Sequence, residues 1–408
     1  MTTTISRAPA ATGPVKGIRL SLNGAMAVAQ AMRQTNPDVV AAYPITPSTT
    51  MVEKFSEFVA NGEVDTEFLA VESEHSAMSA CIGASTAGAR AQTVTSSQGL
   101  AFMWEALYVA AGLRLPIVLH GANRALSAPV SIHVDHTDTM GARDSGWIQI
   151  YAENAQEAYD NALMAVRIAE DAGVMLPVLE TQDGYTVSHN VERVELLPDD
   201  AARQFVGTYR AIHPLLDVHN PISVGNIVSP AYLFEMKRQV VEAMDNARQV
   251  IARIGQEYGQ ISGRSYGLIE GYQLEDADVV MVLLGSTAGT TRVAVDMMRA
   301  QGIRAGLLKV RSFRPFPVDE VAKALKNKAA VAVMDRAFSF GAAGGPLFQD
   351  VCATLHRKGV AVTLVNYVYG IGGRDATPEE LAEVFQEMER VADSGQSVEN
   401  IRFLSLRE

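Results

Sequence analysis

The chain has 408 residues, of which 48% are hydrophobic and 20% charged, a balance typical of a globular protein that buries its core without disulfides. Its 46 acidic residues outnumber its 34 basic residues, and the net charge of −12 argues against a nucleic-acid partner, whose phosphates need a basic surface. The two cysteines, Cys81 and Cys352, are too few for an iron–sulfur cluster, which takes about four thiolates, and they indicate a reducing, cytoplasmic location.

Residues 1–15 are rich in Thr, Ala and Pro and contain no apolar run. They lack the core of about 7–15 apolar residues that marks a secretory signal. We therefore expect a tail that is either frayed or bound to another subunit. Apolar runs elsewhere, such as residues 277–284, are far shorter than the roughly 18 residues that a membrane span needs. The sequence therefore predicts no membrane association.

From residue 39 onward, short apolar runs alternate with helical stretches, the pattern of a parallel sheet covered on both faces. The predicted strands are Val39–Tyr43, Glu67–Val71, Ala91–Thr95, Ile117–His120 and Val178–Thr181. The predicted helices are Ser48–Asn61, Ser73–Ala87, Gly99–Gly112 and Ala155–Asp171.

A second α/β block follows, and it is predicted to form an open α/β domain of its own. Its predicted elements are Asp278–Leu284, Thr290–Gln301, Arg304–Val310, Val318–Leu325, Ala330–Met334, Leu347–Leu355, Val360–Val365 and Pro378–Ala392. Residues 209–266, with a helix near 232–254, are interpreted as the connector. We place the boundary near Gly255, which gives domains at residues 1–255 and 256–408.

The turn from Tyr43 to Ser48 follows a predicted strand and precedes a predicted helix, where open α/β sheets bind ligands. Prolines on both sides of Thr46 restrict the backbone, so that its hydroxyl has a defined direction. The alternative is that Thr46 or Ser48 only caps the next helix.

Glu74 opens a helix of small residues at the end of the next strand. A carboxylate there can act as a general acid or base if burial raises its pKa. The alternative is an acidic residue that favours the helix dipole in the first turn.

Four further polar stretches are candidate sites. The turn from Ser96 to Gly99 could bind an anion through the amides of a helix start, although a single turn is weak support. Arg124 follows a strand, and its planar guanidinium suits a substrate carboxylate. The residues at 133–138, HVDHTD, match no familiar zinc spacing and are interpreted as a hydrogen-bonded loop. The turn at 285–290 lacks the lysine of a P-loop, so a capped helix is the preferred interpretation over a phosphate site.

In this order, the clusters resemble the alpha subunit of pyruvate:ferredoxin oxidoreductase and its 2-oxoacid:ferredoxin relatives. The matching stretches are YPITPST (43–49), ESEHSAM (72–78), TSSQGL (95–100), NRALSAP (123–129), DHTD (135–138), LLGSTAGT (283–290), LLKVRSFRPFP (307–317) and YGIGGRD (369–375). The resemblance extends from about residue 20 to residue 391. It implies an α/β fold, with a thiamine-diphosphate-binding pyrimidine-type domain followed by a transketolase C-terminal-like open α/β domain.

The resemblance implies an enzyme that uses thiamine diphosphate to decarboxylate pyruvate oxidatively, with coenzyme A as acyl acceptor and ferredoxin as electron acceptor. By matching motifs, Glu74 would face a nitrogen of the cofactor's pyrimidine ring, Thr46 would contact the substrate and Arg124 would bind its carboxylate. Pro44, Ile45, Ser97 and Gln98 would bind the cofactor together with Glu74. Asp135, His136 and Arg143 match the family loop only loosely and are assigned no catalytic role.

The sequence contains no GDG followed some 25–30 residues later by Asn, the family's magnesium–diphosphate signature, and Asp183-Gly184 does not fit it. The resemblance therefore implies that beta, gamma and delta subunits supply the diphosphate domain with its Mg²⁺, a further catalytic domain and the [4Fe-4S] clusters. No metal ligand is predicted in this chain, which alone should be inactive.

Three alternatives stay open. A 2-oxoisovalerate:ferredoxin oxidoreductase subunit of similar length fits the same motifs, whereas an oxalate enzyme would depart from them at the position of Thr46. A non-catalytic assembly subunit would not need to retain Thr46, Glu74 and Arg124. A component of a thiamine-dependent 2-oxoacid dehydrogenase would be distinguished by a lipoyl-bearing partner in place of iron–sulfur subunits.

Overall fold

The structure is a computed structural model, and it describes residues 13–394 and 401–407. Most of the predicted amino-terminal tail, residues 1–12, lies outside the described residues. Fifteen strands lie in this part of the chain: β1 (Ile18–Asn23), β2 (Val39–Ala42), β3 (Glu67–Ala70), β4 (Ala91–Thr95), β5 (Val118–Asn123), β6 (Ile148–Ala152), β7 (Val178–Asp183), β8 (Val191–Leu196), β9 (Ile269–Tyr272), β10 (Val279–Leu283), β11 (Ala305–Val310), β12 (Ser312–Arg314), β13 (Ala330–Asp335), β14 (Thr363–Val368) and β15 (Arg402–Phe403).

Thirteen α-helices lie in the same part of the chain: α1 (Gly24–Thr35), α2 (Thr49–Ala60), α3 (Glu74–Ala87), α4 (Ser97–Phe102), α5 (Trp104–Gly112), α6 (Thr137–Gly141), α7 (Ala155–Ala169), α8 (Asp199–Val206), α9 (Pro230–Ser262), α10 (Thr287–Ala300), α11 (Val318–Leu325), α12 (Pro346–Lys358) and α13 (Pro378–Ser394). Within the described residues, no helix combines the length and the apolar character that crossing a membrane requires.

The first sheet has seven strands in the order β12-β6-β7-β5-β4-β2-β3, and all neighbours are parallel except β12 with β6. Both faces of this sheet are covered. On β5, Val118 packs in the apolar cluster that contains α1 and α7, and the next residue, Leu119, packs in the cluster that contains α3 and α5. Burying one such side chain stabilises the fold by about 1.5–3 kcal/mol, so β5 needs apolar residues on both faces.

The second sheet has six strands in the order β15-β14-β13-β10-β11-β9, and only β9 is antiparallel to its neighbour. The predicted alternation of strands and helices is therefore confirmed in both units. A separate antiparallel pair, β1 with β8, lies outside both large sheets and was not predicted.

Helix α9 is longer than predicted and runs without a break through Gly255. This glycine marks a close contact, because a Cβ at Gly255 would lie 1.9 Å from the backbone oxygen of Tyr266. The helix ends at Gly263, whose φ of +76° is typical of a glycine that terminates a helix. The division of the chain at residues 255 and 256 stays a prediction.

The two units are joined by strand β12, which follows β11 of the second sheet but pairs with β6 of the first. A buried ionic cluster lies beside this junction. The ammonium of Lys309 on β11 lies 2.6 Å from Glu153, 2.8 Å from Glu157 and 2.7 Å from Glu270. Burial opposes its charge, but these carboxylates outweigh burial and raise the pKa of Lys309. Three carboxylates this close resemble a cation site, and here the ammonium takes the place of a metal ion.

Candidate active site at the carboxyl edge of the first sheet

Four turns with polar side chains lie at one edge of the first sheet. They follow β2, β3, β4 and β5, which are consecutive in the sheet order β5-β4-β2-β3. Because parallel strands end at the same edge, the predicted site residues share that edge. The structure therefore places Thr46, Glu74, Ser97 and Arg124 on neighbouring turns.

Glu74 is the first residue of α3 and is only 6% exposed. It does not cap the helix, since Ser73 fills that role by accepting the Ser76 amide at 3.2 Å. Its carboxylate has no hydrogen bond or ion pair to the described part of the chain. The neighbouring hydroxyls of Thr95 and Ser96 are also buried and make no hydrogen bond to any residue that the structure describes. Buried polar groups are normally paired, so these groups indicate a ligand site.

Gly99 in α4 lets Glu74 take this position. A Cβ at Gly99 would lie 2.7 Å from Glu74 Oε1 and 2.3 Å from Thr95 Oγ1, both far too close. We therefore expect Gly99→Ala to displace the carboxylate and to lower the free energy of unfolding by about 1–3 kcal/mol. Thermal unfolding of the purified chain measures this loss.

Gly83→Ala in α3 is the matched control, because a Cβ at Gly83 would meet nothing within 4 Å. An added methyl at a helical position in open space should raise stability by up to about 1 kcal/mol. Equal unfolding midpoints for the two variants would contradict the contact between Gly99 and Glu74.

The turn after β2 orients Thr46 through its backbone. The carbonyl oxygen of Thr46 accepts a hydrogen bond of 2.9 Å from Nη1 of Arg124, and the Thr46 hydroxyl makes no hydrogen bond to the described residues. Ser48 does not cap α2, because its hydroxyl donates to the carbonyl of Ile45 at 2.7 Å. The hydroxyl of Thr46 is thus available to a ligand. Ile45 is half-buried and Pro44 is exposed.

Arg124 directly follows β5 and is 9% exposed. Its Nε donates to the carbonyl of Ser131 at 2.9 Å, and its Nη1 donates to Thr46. These bonds fix the plane of the guanidinium and leave Nη2 without a partner among the described residues. A guanidinium held in a fixed plane with one free N–H donor group can bind a carboxylate.

Ser97 connects the turn after β4 to the turn after β5. Its hydroxyl lies 2.6 Å from the carbonyl of Ala125 and 2.7 Å from Oε1 of Gln98, which is half-buried. Its amide donates to Oδ2 of Asp138 at 3.0 Å. The helix start at Ser97, a candidate anion site from its sequence, binds the carboxylate of Asp138.

The loop at 133–138 lies between the two units. Nε2 of His136 is 2.8 Å from Oδ1 of Asp183, and the other carboxylate oxygen of Asp183 is 2.8 Å from Nη1 of Arg336. Burial opposes the charge of Asp183, but His136 and Arg336 outweigh burial and lower its pKa. Asp135 instead accepts the amides of Thr137 and Gly372. This loop therefore makes hydrogen bonds to other residues of the chain, as interpreted from the sequence.

The contacts of Asp183 were not predicted from the sequence, where Asp183-Gly184 only failed to match a diphosphate signature. The carboxylate of Asp183 also accepts the amide of Ser286 at 3.0 Å, immediately before α10. In the same way, Asp335 accepts the amides of Leu347 and Phe348 in the first turn of α12. The starts of α4, α10 and α12 therefore each bind a carboxylate of the chain itself.

Two segments of the chain match known families. Residues 30–256 match the family described as pyruvate flavodoxin/ferredoxin oxidoreductase, thiamine diphosphate-binding. Residues 277–381 match core domain II of pyruvate:ferredoxin oxidoreductase.

Three relatives match the chain over nearly its whole length. Pyruvate synthase subunit PorA of Thermotoga maritima is 49% identical over 391 residues, which cover 96% of this chain and 98% of that one. The protein of the same name from Methanocaldococcus jannaschii is 45% identical over 374 residues, 91% of this chain and 95% of that one. Ketoisovalerate oxidoreductase subunit VorA of Pyrococcus horikoshii is 42% identical over 395 residues, 97% of this chain and 99% of that one.

Two solved structures share the fold. One is a 2-oxoglutarate:ferredoxin oxidoreductase from Magnetococcus marinus with 2-oxoglutarate, coenzyme A and succinyl-CoA bound (TM-score 0.72, 19% identity, covering 91% of this chain and 65% of that chain). The other is a split-gene transketolase, an inactive beta4 tetramer (TM-score 0.53, 14% identity, covering 91% of this chain and 100% of that chain). The predicted fold class, a thiamine-diphosphate-binding domain followed by a transketolase-like α/β domain, is confirmed.

Proposed function

Because the chain belongs to the pyruvate:ferredoxin oxidoreductase family, we propose that it is the alpha subunit of a multi-subunit enzyme that oxidises pyruvate. The reaction converts pyruvate and coenzyme A into acetyl-CoA, carbon dioxide and a proton, and it releases two electrons. Two ferredoxin molecules would each take up one electron, and the reaction is reversible. The observation that carries this function is the buried carboxylate of Glu74, which has no partner among residues 13–394 and 401–407, at the carboxyl edge of a thiamine-diphosphate-type domain.

The residues around Glu74 fit thiamine diphosphate. A buried carboxylate without a partner can accept a hydrogen bond from a ring nitrogen and hold a proton there. Pro44, Ile45, Ser97 and Gln98 would line the cofactor from the turns after β2 and β4. When bound, this cofactor supplies the nucleophilic carbon that attacks a 2-oxo group and accepts the electrons that decarboxylation leaves behind.

Thr46 and Arg124 would hold the substrate. The free Nη2 of Arg124 suits one oxygen of the 2-oxoacid carboxylate, and the hydroxyl of Thr46 can donate to a substrate oxygen. Since carbon dioxide leaves from this carboxylate, its contact with Arg124 positions the bond that breaks. We expect Arg124 to act on substrate affinity as well as on rate.

The diphosphate half of the cofactor would bind to a partner subunit that also carries Mg²⁺. The chain lacks the family's magnesium–diphosphate signature, and the helix starts at α4, α10 and α12 each bind a carboxylate of this chain, from Asp138, Asp183 and Asp335. The cofactor would therefore lie between this chain and its partner.

The [4Fe-4S] clusters would also reside on partner subunits. Cys81 is fully buried, and burial raises the pKa of its thiol to about 12, which disfavours the thiolate that a cluster needs. Cys352 is the only other cysteine in the sequence. We propose beta, gamma and delta subunits as the source of the clusters and a cytoplasmic location for the complex.

The test is a substrate panel on the complex purified through this chain. Reduction of a low-potential acceptor is followed with coenzyme A and with pyruvate, 2-oxoisovalerate or 2-oxoglutarate. The proposed function expects the highest kcat/KM with pyruvate and a strict need for coenzyme A. Failure to reduce the acceptor with any of these acids would overturn the proposal.

A second candidate is a 2-oxoisovalerate enzyme, because the Pyrococcus horikoshii relative with that name is 42% identical over 97% of this chain. The same panel decides between them, since a larger pocket would raise kcat/KM for the branched acid above that for pyruvate. A lipoyl-bearing acyltransferase in place of iron–sulfur subunits would instead identify a 2-oxoacid dehydrogenase component.

A further inference from the structure

We propose that Asp138 is a positioning residue that holds the turn at Ser97 and the strand end at Arg124 in one fixed arrangement, and thereby sets where Arg124 meets the substrate carboxylate. The inference rests on the function proposed above, because it concerns the same site. Asp138 itself is buried and is not expected to touch the substrate.

The contacts of Asp138 span three segments of the chain. Its Oδ2 accepts the amides of Ser97 and Arg124, each at 3.0 Å. Its Oδ1 accepts Nδ2 of Asn123 at 2.8 Å and the amide of Thr139 at 2.7 Å. Only the Thr139 contact is local to α6. The other three donors come from the turn after β4, from the last residue of β5 and from the turn after β5, so a helix cap does not explain the residue.

Both amides on Oδ2 belong to residues with roles in the proposed site. Ser97 has a φ of +50°, an uncommon conformation for a residue with a side chain, and the bond from its amide to Asp138 helps to hold it. The backbone of Arg124 is fixed by Asp138 while its guanidinium is fixed by Thr46 and Ser131. Without the hydrogen bond to Asp138, the backbone of Arg124 is no longer fixed, and the guanidinium that would bind the substrate can shift.

Burial opposes the charge of this carboxylate. Its four partners are neutral N–H groups, and burial raises the pKa of Asp138 to about 6 despite those bonds. A carboxyl group with a raised pKa stabilises the folded state fully only below its ordinary pKa and loses that contribution as the pH rises through the raised value. The contribution of Asp138 to stability should therefore fall as the pH rises through about 6.

The experiment compares Asp138→Asn with the unchanged chain in the reconstituted complex. An asparagine keeps the shape but places an NH₂ donor against two N–H donors, so the two turns should separate. We expect KM for pyruvate to rise about 10- to 100-fold, while kcat at saturating substrate changes less than about threefold. The inhibition constant of oxamate, an unreactive carboxylate of pyruvate's shape, should rise by the same factor as KM.

Asp160→Asn is the matched structural control. Asp160 on α7 is also buried, but it binds Arg264 and Tyr266, which follow α9, and it does not lie at the sheet edge. This variant should lower the unfolding temperature and leave KM unchanged. If Asp138→Asn behaves like Asp160→Asn, the positioning role is wrong.

A double variant tests whether Asp138 acts through Arg124. In an Arg124→Ala background, Asp138→Asn should raise KM by a further factor of less than about two, whereas independent effects would multiply.

If the Asp138→Asn variant does not assemble, Asn123→Ser offers a second test, because it removes one donor to the same carboxylate. Asn123→Ser should also raise KM, and an unchanged KM would overturn the inference. A wild-type complex that turns over no 2-oxoacid would instead remove the proposed function, and with it this inference.

Discussion

Replacing Glu74 with glutamine is expected to lower the turnover of the reconstituted complex by about 10²- to 10⁴-fold. Glutamine has nearly the same shape, so the chain should fold and assemble, but it cannot hold or return a proton at a ring nitrogen. The carboxylate has no partner within the described chain, so its loss leaves no other buried group unpaired. Steady-state rates and thermal unfolding measured on the same preparation separate the two effects.

Glu72→Gln is the control for this variant. Glu72 lies two residues away and is exposed, and its carboxylate accepts a bond from the hydroxyl of Ser76. Its loss should leave turnover within about twofold, since exposed substitutions usually have small effects. Near-normal turnover of Glu74→Gln, or an equal loss in both variants, would remove Glu74 from the chemistry.

Arg124→Ala is expected to raise KM for the 2-oxoacid by about 10- to 150-fold, which corresponds to a charge-assisted hydrogen bond of roughly 1.5–3 kcal/mol. The rate at saturation should fall as well, because the carboxylate that leaves as carbon dioxide is no longer held. Arg124→Lys should recover only part of the affinity, since an ammonium cannot bond Thr46, Ser131 and a substrate oxygen in one plane. Initial rates over a wide range of pyruvate concentrations measure both parameters.

Arg114→Ala provides the comparison. Arg114 also donates to backbone carbonyls, those of Val174 and Met175, but it lies away from the carboxyl edge of the first sheet. The Arg114→Ala variant should lower the free energy of unfolding without changing KM for the 2-oxoacid. If Arg124→Ala changes only stability, Arg124 supports the turn at Thr46 and does not bind substrate.

Most strands and helices could be predicted from the sequence, because buried parallel strands are short apolar runs between helices. The α4 and α5 helices were predicted as one, and the break at Met103 leaves no mark in the apolar pattern. Strand β14 was predicted at Val360–Val365 but forms at Thr363–Val368. The apolar run extends across both ranges, and pairing with β13 selects the register. Strand β12 depends wholly on a distant partner and could not be found from local pattern.

Thr46, Glu74 and Arg124 could be identified as candidate site residues from the sequence, because each lies on a turn that directly follows a predicted strand. Their roles in catalysis stay predictions. The contacts of Asp138 and Asp183 could not be foreseen, because each carboxylate accepts amides from segments far away in sequence. One signal was present in the sequence. Asp183 ends a run of buried strand residues, a position where an acidic residue needs a specific partner.

Strand β12 has a consequence for how the chain can be divided. It is contributed by the second unit, and it covers the outer side of β6, which would otherwise expose unpaired backbone groups. A fragment that ended after α9 would keep every helix of the first unit. Its strand β6, however, would expose unpaired backbone N–H and C=O groups with which other chains could pair. Such a fragment should aggregate, and co-expressing the remainder should rescue its solubility.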